Sequence, residues 1–463
     1  MDSVQTGAAA AGTGSDQFLK VEERGIEPVP RRERHGTSRE LAFLWAGAFL
    51  NYASLLTASL LTGFFGLGIW DGLAAVVLGT VSAAFILGLL SHTGPRSGLP
   101  QVAFTRRIFG SNGAKIGAFL TLVLAVGWFA VDSVIAALAG VQLLKLVGMG
   151  DAGKLALPLV LVIVIVSIAV AVYGHATIRV FETWGAIVFA LLSLALFAAL
   201  AGQFRWDTAP SVRGADFPGA FVLGFMVCFA LVASWFPFAS DYSRYLPQDT
   251  PPRGLTLWPV LGITVPMVLL GLFGLLLPTI DPKLAAGEGG VLAVIARHAP
   301  SWVALPFFVF VILGEVWANY LDVYTAGLVA QTLGVRLKRW QTALGCGVLG
   351  ALLATVAVTL TDFHTAFQQF LLLTYLWAPA WAAIVLLAFY AHGERHPVPA
   401  LLAWALGTAV SFLFVNYANI YPGVHAFNDG LVVGALHGAD LSGLVSMLVA
   451  AGSYTIMLRF GWK

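Results

Sequence analysis

Three carboxylic acids stand out because each lies inside a long apolar run of the chain. Asp132 lies in one run, and Glu315 and Asp322 lie in a later one, seven residues apart and therefore on one face of a helix. A charge at the centre of a bilayer costs about 2.5–3.5 kcal/mol on insertion scales. No Lys or Arg lies near the centre of any run to neutralise these acids. We therefore expect them to be protonated or to face a polar cavity, where they carry protons or accept hydrogen bonds from a ligand.

Aromatic residues accompany the acids along the sequence. Trp128 precedes Asp132 by one helical turn, so the two side chains share a face. In another run, Ser234, Trp235 and Pro237 interrupt the apolar pattern, and Pro237 removes a backbone donor. Interrupted backbone at membrane depth is tolerated where it lines a cavity or is buried in protein. Carboxylates beside flat rings suit a planar ligand that stacks on the rings and donates hydrogen bonds from its edge.

Other polar residues in the apolar runs have two interpretations. Asn51 and Ser54 lie in the first run, and Gln368 lies in the tenth. A polar side chain in a membrane span usually hydrogen-bonds a neighbouring helix, but it can also contact a ligand. Both interpretations stay open for these three residues, which are candidate ligand contacts. Asp241 lies at the end of a run, where we expect water to solvate it.

The composition gives the class of protein. Of 463 residues, 59% are hydrophobic and 10% are charged, whereas a soluble domain has roughly 25% charged residues. A span needs roughly 20 apolar residues, and about twelve such runs recur with short polar segments between them. The sequence therefore predicts an all-α polytopic membrane protein. The predicted spans are 41–67, 72–91, 116–146, 155–173, 181–201, 218–238, 255–277, 302–327, 341–360, 366–390, 399–415 and 441–459.

The distribution of basic residues predicts the orientation. If the N-terminus is inside, only six of the 25 Lys and Arg residues lie outside. Cytoplasmic loops carry such an excess, so both termini are expected in the cytoplasm of a cell that carries the chain in its plasma membrane. Residues 1–40 are polar, lack a signal-peptide pattern and are interpreted as a cytoplasmic tail. The six outside residues are Lys145, Lys154, Arg205, Arg213, Lys283 and Arg297.

Several classes of function lack the motifs that they require. The sequence contains no metalloprotease helix motif, no nucleophile elbow, no His/Cys cluster and no phosphate-binding loop. An enzyme, a bound cofactor, a metal site, a nucleic-acid partner and ATP-driven transport within this chain are therefore not expected. A channel would line a continuous polar stripe, whereas the polar groups here concentrate at mid-depth. A secondary transporter of a small molecule fits best, with a channel or a membrane-embedded enzyme as remote alternatives.

Five segments contain Gly, Pro and aromatic residues at a characteristic spacing. They are Gly25-Ile26-Glu27-Pro28-Val29-Pro30, Gly94-Pro95-Arg96-Ser97-Gly98-Leu99-Pro100 with Arg106-Arg107-Ile108-Phe109-Gly110, Gly127-Trp128-Phe129, Trp235-Phe236-Pro237-Phe238-Ala239-Ser240-Asp241-Tyr242, and Tyr324-Thr325-Ala326-Gly327-Leu328. Together they resemble the purine–cytosine permeases, a family of nucleobase:cation symporters, although Arg106 stands where that family often has Ser. The resemblance extends over most of the chain up to the ninth span.

This resemblance implies a leucine-transporter-type fold. Residues 41–201 and 218–390 would form two inverted repeats of five helices, followed by two further helices within 399–459. The first and sixth spans would be broken, with Pro237 at the sixth-span break and acting in gating. The third and eighth spans would be symmetry mates, which brings Asp132 and Asp322 to one central site.

The resemblance also implies roles for site residues. Trp128 would stack on the substrate, and Trp235 would line the site with its neighbour Ser234. Asp132 and Asp322 stand where the fungal branch of the family often has Asn. An ionised Asp only accepts hydrogen bonds, which favours guanine, protonated aminopyrimidines or pyridoxine-like rings over uracil. A protonated Asp regains a donor, so neutral bases remain open.

The coupling ion follows from a second departure from the family pattern. Sodium-coupled members use paired eighth-span hydroxyls, whereas the matching residues here run from Val316 to Asn319 and include no Ser or Thr. Asn319 is the only polar side chain in this stretch, which makes a sodium site doubtful. Proton coupling through Asp322, Glu315 and Asp132 is therefore favoured. The predicted function is proton-coupled uptake of a nucleobase or related nitrogen heterocycle of the cytosine/purine type. Hydroxymethylpyrimidine, pyridoxine and allantoin or hydantoin are the alternative substrates.

Overall fold

A computed structural model describes residues 25–173, 175–208, 210–285, 290–360, 363–393, 396–417 and 426–462. The secondary structure within these ranges is helical, and they contain no strand. The α-helices are α1 Glu40–Phe49, α2 Tyr52–Gly63, α3 Ile69–Leu90, α4 Thr93–Ser97, α5 Gln101–Phe104, α6 Arg106–Leu146, α7 Ala156–Tyr173, α8 His175–Leu200, α9 Asp216–Ala233, α10 Ala239–Ser243, α11 Pro252–Ile280, α12 Pro282–Ala285, α13 Gly290–His298, α14 Ser301–Leu333, α15 Arg339–Leu360, α16 Phe363–Leu387, α17 Pro397–Ser411 and α18 Ser442–Arg459.

The helices agree with an all-α polytopic membrane protein. Nine helices of the described chain are long and apolar enough to cross a bilayer, and the bent pair α1 and α2 counts as a tenth. Shorter apolar stretches, Ile187–Gln203 and Leu376–His392, match the fifth and tenth predicted spans. These helices are consistent with the twelve predicted spans. Helix α6 begins well before its predicted start at residue 116 and contains a kink at Gly110, whose positive φ of 70° suits glycine.

The first span is broken in its middle by two residues with non-helical backbone. Leu50 ends α1 with a ψ of 59°, and Asn51 is extended, so α1 and α2 meet at an angle of 59°. Asn51 stabilises both sides of the break. Its side-chain oxygen accepts from the backbone N–H of Ser54, and its amide nitrogen donates to the Ala48 carbonyl at 3.0 Å. These bonds satisfy backbone groups that a helix end leaves without partners.

The interruption of the sixth span has a different form. Helix α9 ends at Ala233, a 3₁₀ turn covers Phe236–Phe238, and α10 follows directly. Pro237 lies within the 3₁₀ turn, where its missing N–H costs no helical hydrogen bond. The residues from Asp216 to Ser243 still form one span without a sharp bend. The sixth span therefore changes to a tighter 3₁₀ turn at Pro237 without a sharp bend, whereas the first span is bent at its break.

Helices α6 and α14 pack along each other at the centre of the bundle. Both are long, and the middle of each is almost completely buried. Helix α11 packs on α2 and α3, while α17 and α18 pack together beside α16. Small residues permit close approach between helices, as at Gly274 of α11, where an added Cβ would meet the Leu55 carbonyl oxygen of α2. The predicted acids on α6 and α14 therefore lie in the interior of the helix bundle.

Candidate functional site

The three predicted acids lie together at the interface of α6 and α14. Asp132, Glu315 and Asp322 are each at most 1% exposed. Asp132 lies within range of the charges of both Glu315 and Asp322, and Asp322 lies within range of that of Glu315. Carboxylates this close repel each other when all are ionised, which favours a proton on at least one of them. The site can therefore hold a proton between α6 and α14.

Glu315 also closes the break in the first span. Its Oε1 accepts a hydrogen bond from the backbone N–H of Tyr52 at 2.6 Å. Tyr52 is the first residue of α2. A helix N-terminus carries free N–H groups and a partial positive charge, so a carboxylate stabilises it. The protonation of Glu315 is thereby linked to the position of α2.

Asn319 connects three helices next to the acids. Its side-chain nitrogen donates to Ser133 Oγ of α6 at 3.0 Å and to Ser167 Oγ of α7 at 3.2 Å. Asn319 lies one turn after Glu315 and just under one turn before Asp322 on α14, so all three face the same side. The amide therefore fixes the position of α14 along its axis relative to α6 and α7.

The site has more acceptors than donors. Five buried oxygen atoms have no hydrogen-bond donor within the described residues: Asp132 Oδ1, Glu315 Oε2, Asn319 Oδ1 and both carboxyl oxygens of Asp322. Buried oxygens of this kind are costly unless a proton, a cation, water or a ligand satisfies them. The arrangement is thus suited to a ligand that brings several N–H groups, a positive charge, or both.

Two groups of buried aromatic rings lie within the bundle, one on α6 and α16 and the other on α1 and just after α9. Trp128 of α6 is 3% exposed, and its ring meets Phe370 of α16 edge-on at 5.4 Å. Trp235 contacts Trp45 at 5.7 Å and Phe49 at 6.1 Å, both from α1. The two α1 rings were not predicted from the sequence, because nothing in a uniformly apolar helix tells which face turns toward a site. Trp128 and Trp235 are buried, as ligand-stacking rings within a bundle must be.

The other predicted ligand contacts use their polar atoms locally. Ser54 donates its hydroxyl to Asn51 Oδ1 at 3.0 Å, so both residues are engaged in the first-span break. Ser234 donates its hydroxyl to the Leu231 carbonyl of its own helix at 2.8 Å. Gln368 lies on α16, but its side chain is outside the described part of the chain. The polar atoms of Asn51, Ser54 and Ser234 thus stabilise helix geometry, and a ligand role for them stays a prediction.

Asp241 corrects the sequence-based expectation that water solvates it. Its side chain is 1% exposed, and its oxygens accept from the Gln101 N–H and from Thr325 Oγ1, both at 2.8 Å. The short helices α4 and α5 fold back against α10 and exclude water there, which span boundaries alone did not reveal. Asp241 therefore fastens α10 to α5 and α14. It lies on the side of the site opposite α2.

The described residues contain no group of His, Cys, Asp or Glu that could hold a metal ion. Cys228 and Cys346 are free thiols inside the bundle. The two cysteines lie on α9 and α15.

Comparison with known proteins matches this architecture to a family. A family profile described as a permease for cytosine/purines, uracil, thiamine and allantoin matches residues 28–397. The putative purine-cytosine permease YxlA of Bacillus subtilis is 26% identical over 95% of this chain and 96% of its own length. The purine-cytosine permease FCY2 of Saccharomyces cerevisiae is 24% identical over 76% of this chain and 67% of its own length.

Solved structures share the fold. Mhp1, a nucleobase-cation-symport-1 family transporter solved in a closed conformation with bromovinylhydantoin bound, superposes with a TM-score of 0.69. The superposition covers 94% of this chain and 95% of Mhp1 at 17% identity. This confirms the predicted leucine-transporter-type fold. The profile match covers most of the chain, so the protein belongs to the family of permeases for cytosine/purines, uracil, thiamine and allantoin and is a membrane transporter, not an enzyme.

Proposed function

We propose that the protein takes up a nucleobase or a related nitrogen heterocycle together with protons. The observation that carries this proposal is the surplus of acceptors at the α6–α14 interface, where five buried oxygens have no donor within the described residues. Guanine offers adjacent N–H donors at N1 and its 2-amino group, and an aminopyrimidine such as cytosine offers them once its ring nitrogen beside the amino group is protonated. Carboxyl oxygens that only accept pair with such an edge and not with the alternating edge of uracil. Relatives named as purine-cytosine permeases support this substrate class.

In this proposal the three acids divide two tasks between them. Asp322 accepts the substrate edge, because both of its oxygens are without a donor in the described chain. Asp132 and Glu315 share the coupling proton, because the two carboxyl groups lie within range of each other's charge and Glu315 also contacts the N-terminus of α2. Trp128 and Trp235 enclose the ring of the substrate. Asn319 contributes its free amide oxygen to the same edge, and Asn51, Ser54 and Ser234 hold the helix breaks that shape the site.

The proposed transport cycle follows from the contact between Glu315 and α2. A proton on Glu315 weakens its attraction for the N-terminus of α2, since a neutral carboxyl no longer complements the helix dipole. Substrate that binds Asp322 then finds α2 free to move relative to α14. The two events together permit the central site to close on one side and open on the other. In this cycle the third and eighth spans stay fixed, and the first and sixth spans of the repeats 41–201 and 218–390 move against them.

The proposed orientation has both termini in the cytoplasm and the chain in the plasma membrane. It is supported by the excess of basic residues in the loops on one side. Helix α13 then covers the outer side of the site, and residues 25–39 lie on the cytoplasmic side. Impermeant labelling of single cysteines in the two loop sets tests this orientation in whole cells. Labelling of the loop after α10 from outside would contradict it.

A hydantoin or allantoin is the second candidate substrate. The family description includes allantoin, and Mhp1 was solved with bromovinylhydantoin bound. A hydantoin ring presents N–H groups that alternate with carbonyls, so an acceptor-only site suits it less well than an aminopyrimidine edge. Hydroxymethylpyrimidine and pyridoxine share the donor-rich edge and are the remaining alternatives.

Thermal unfolding of the purified protein with a panel of rings tests the substrate class. The panel contains cytosine, guanine, adenine, hydroxymethylpyrimidine, pyridoxine, allantoin, hydantoin and uracil. The proposal predicts stabilisation by rings with an amino-substituted edge and weaker stabilisation by uracil, because a ligand that binds the folded state raises the free energy of unfolding with the logarithm of its concentration relative to Kd. Stabilisation by uracil or hydantoin alone would overturn the substrate assignment.

A further inference from the structure

Arg244 is a fully buried arginine that the central site does not use. It follows directly after α10, and its side chain is 0% exposed. Its Nη1 donates to the carbonyl oxygen of Gly25 at 2.9 Å, and its Nη2 donates to the hydroxyl groups of Tyr245 and Tyr324 at 2.9 and 3.1 Å. The guanidinium therefore joins the N-terminal segment to α14. A buried charge with this set of partners is costly to place and must be held in one geometry.

The N-terminal segment, residues 25–39, is held at several further points. The backbone of Val29 donates to the Gly98 carbonyl at 3.0 Å, and its side chain is 1% exposed. Arg34 donates to the carbonyl oxygens of Val29 and Pro95. The backbone of His35 donates to the Tyr245 carbonyl at 2.7 Å. The segment thus crosses from the loop between α4 and α5 to the residues that follow α10.

The contacts of Arg244 lead directly to the central site. Tyr324 is two residues beyond Asp322 on α14. Tyr242 stacks on Tyr324 with ring centroids 6.1 Å apart and meets Trp45 edge-on at 5.7 Å. A small cavity of about 20 Å³ lies beside these rings, lined by His35, Glu40, Leu41, Leu44, Tyr242, Tyr245 and Leu246. This cavity has room for about one water molecule.

We propose that the N-terminal segment is part of the inner gate and that Arg244 positions it. Opening of the site toward this side separates α10 from α1, and the segment bridges the two. The bonds of Arg244 must break when that happens, so they favour the closed inner side over the open one. The inference rests on the transport class of the protein and on the proposed cytoplasmic side, but not on the identity of the substrate or the coupling ion.

Cysteine labelling in inside-out vesicles tests this gate. Leu44→Cys, in a chain whose Cys228 and Cys346 are replaced by Ser, places a thiol in the small cavity beneath the segment. The full-length protein without substrate is treated with an impermeant maleimide. Arg244→Gln is expected to accelerate labelling about tenfold or more, because it removes charge-assisted hydrogen bonds that keep the cavity closed. Tyr324→Phe is expected to accelerate it to a smaller extent, since it removes one acceptor.

Arg106→Gln is the matched control. Arg106 also donates through its guanidinium to a backbone carbonyl of α14, that of Thr332 at 2.7 Å, but it does not contact residues 25–39 within the described structure. Its labelling rate is expected to stay at the unsubstituted level. Equal acceleration by both arginine variants, or none by Arg244→Gln, would overturn the proposal.

Deletion of residues 1–27 provides an independent variant that leaves Arg244 in place. It is expected to accelerate labelling, and the two changes together are expected to act less than additively, because both remove the contact between Arg244 and Gly25. Additive acceleration would contradict a shared gate, as would an unchanged rate after the deletion. If Arg244→Gln fails to fold, the deletion alone decides between these outcomes. Labelling uses no substrate and no proton gradient, so a wrong substrate assignment leaves the result intact.

Discussion

Asp322 differs from the other two acids because neither of its carboxyl oxygens has a donor within the described residues. Glu315 accepts from the N-terminus of α2, and Asp132 lies within range of the charge of Glu315. This difference is the reason for assigning the substrate edge to Asp322 and the coupling proton to the other two. Different tasks can thus be assigned to chemically similar residues from the groups that each carboxyl group contacts. At the scale of single residues, two substitutions test the assignment.

Asp322→Asn should change substrate choice. The amide keeps the volume of the side chain but replaces one acceptor with a donor, which conflicts with the adjacent N–H donors of guanine. We expect affinity for guanine to fall about 10- to 100-fold, as for the loss of a charge-assisted hydrogen bond, and affinity for neutral cytosine and uracil, which place a donor beside an acceptor, to rise relative to it. Competition for uptake in cells measures both. Asp151→Asn, at an exposed Asp151–Lys154 pair, is the control. Unchanged substrate choice would remove Asp322 from the binding site.

Trp128→Ala should weaken binding of every planar ring. Stacking of a base on an aromatic side chain is worth about 1–3 kcal/mol by alanine substitution, which corresponds to at least about fivefold in affinity. The loss should be similar for cytosine and guanine, because stacking depends on the ring face and not on the edge. Trp206→Ala, at a tryptophan that is 39% exposed, is the control. A Trp128→Ala protein with undiminished affinity in equilibrium binding would contradict the stacking role.

The sequence predicted the acids and the tryptophans but not the task of each polar neighbour. Asp132, Glu315 and Asp322 could be found because a carboxyl group in an apolar run is rare and costly. Ser234 could not be judged, because its hydroxyl donates to its own helix and a sequence does not reveal that choice. The distribution of basic residues predicts that Arg244 lies in a cytoplasmic loop, where a charged side chain is usually exposed. In the structure its side chain is fully buried. Burial at the rim of a bundle depends on short segments such as α4, α5 and residues 25–39.

At the scale of elements, the contact between Glu315 and α2 joins residues 263 positions apart. Span assignment predicted both helices but not their contact. Periodicity shows which residues share a face of a helix, but not which other helix that face contacts. The family resemblance supplied the missing relation by making the first span a broken helix near the eighth. The structure adds that Asn51 and Glu315 together satisfy the polar groups of the break. A helix break at this depth is therefore stable only with its partners present.

Glycine contacts between α2 and α11 give a prediction for helix packing. Gly274→Ala places a methyl group against the Leu55 carbonyl oxygen, whereas Gly345→Ala on α15 meets no atom within 4 Å. Overpacking costs about 1–3 kcal/mol, so the first variant should unfold at a lower temperature and transport more slowly. The second should unfold at the same or a higher temperature, because alanine favours helix. Thermal unfolding of the two purified variants measures the difference. Equal melting temperatures would contradict tight α2–α11 packing.

At the scale of the whole molecule, hydropathy and charge patterns predicted most of the fold. Low charge content and recurrent apolar runs suffice for a membrane protein with about twelve spans, because a bilayer requires such runs. The bend in the first span and the fold-back of α4 and α5 did not follow from composition, since they depend on side-chain contacts between distant segments. The division into repeats 41–201 and 218–390 stays a prediction that the shared fold with Mhp1 supports. The coupling ion is the property on which the proposed cycle depends most.

The central claim is that protons drive uptake of a ring with an amino-substituted edge. Proteoliposomes loaded at neutral pH and diluted into acidic, sodium-free buffer with radiolabelled cytosine or guanine test it most directly. The account predicts accumulation above that in empty liposomes, its loss with a protonophore, and its loss in a Glu315→Gln variant that still binds substrate. Accumulation of these bases that requires an inward sodium gradient and ignores the pH gradient would contradict the account.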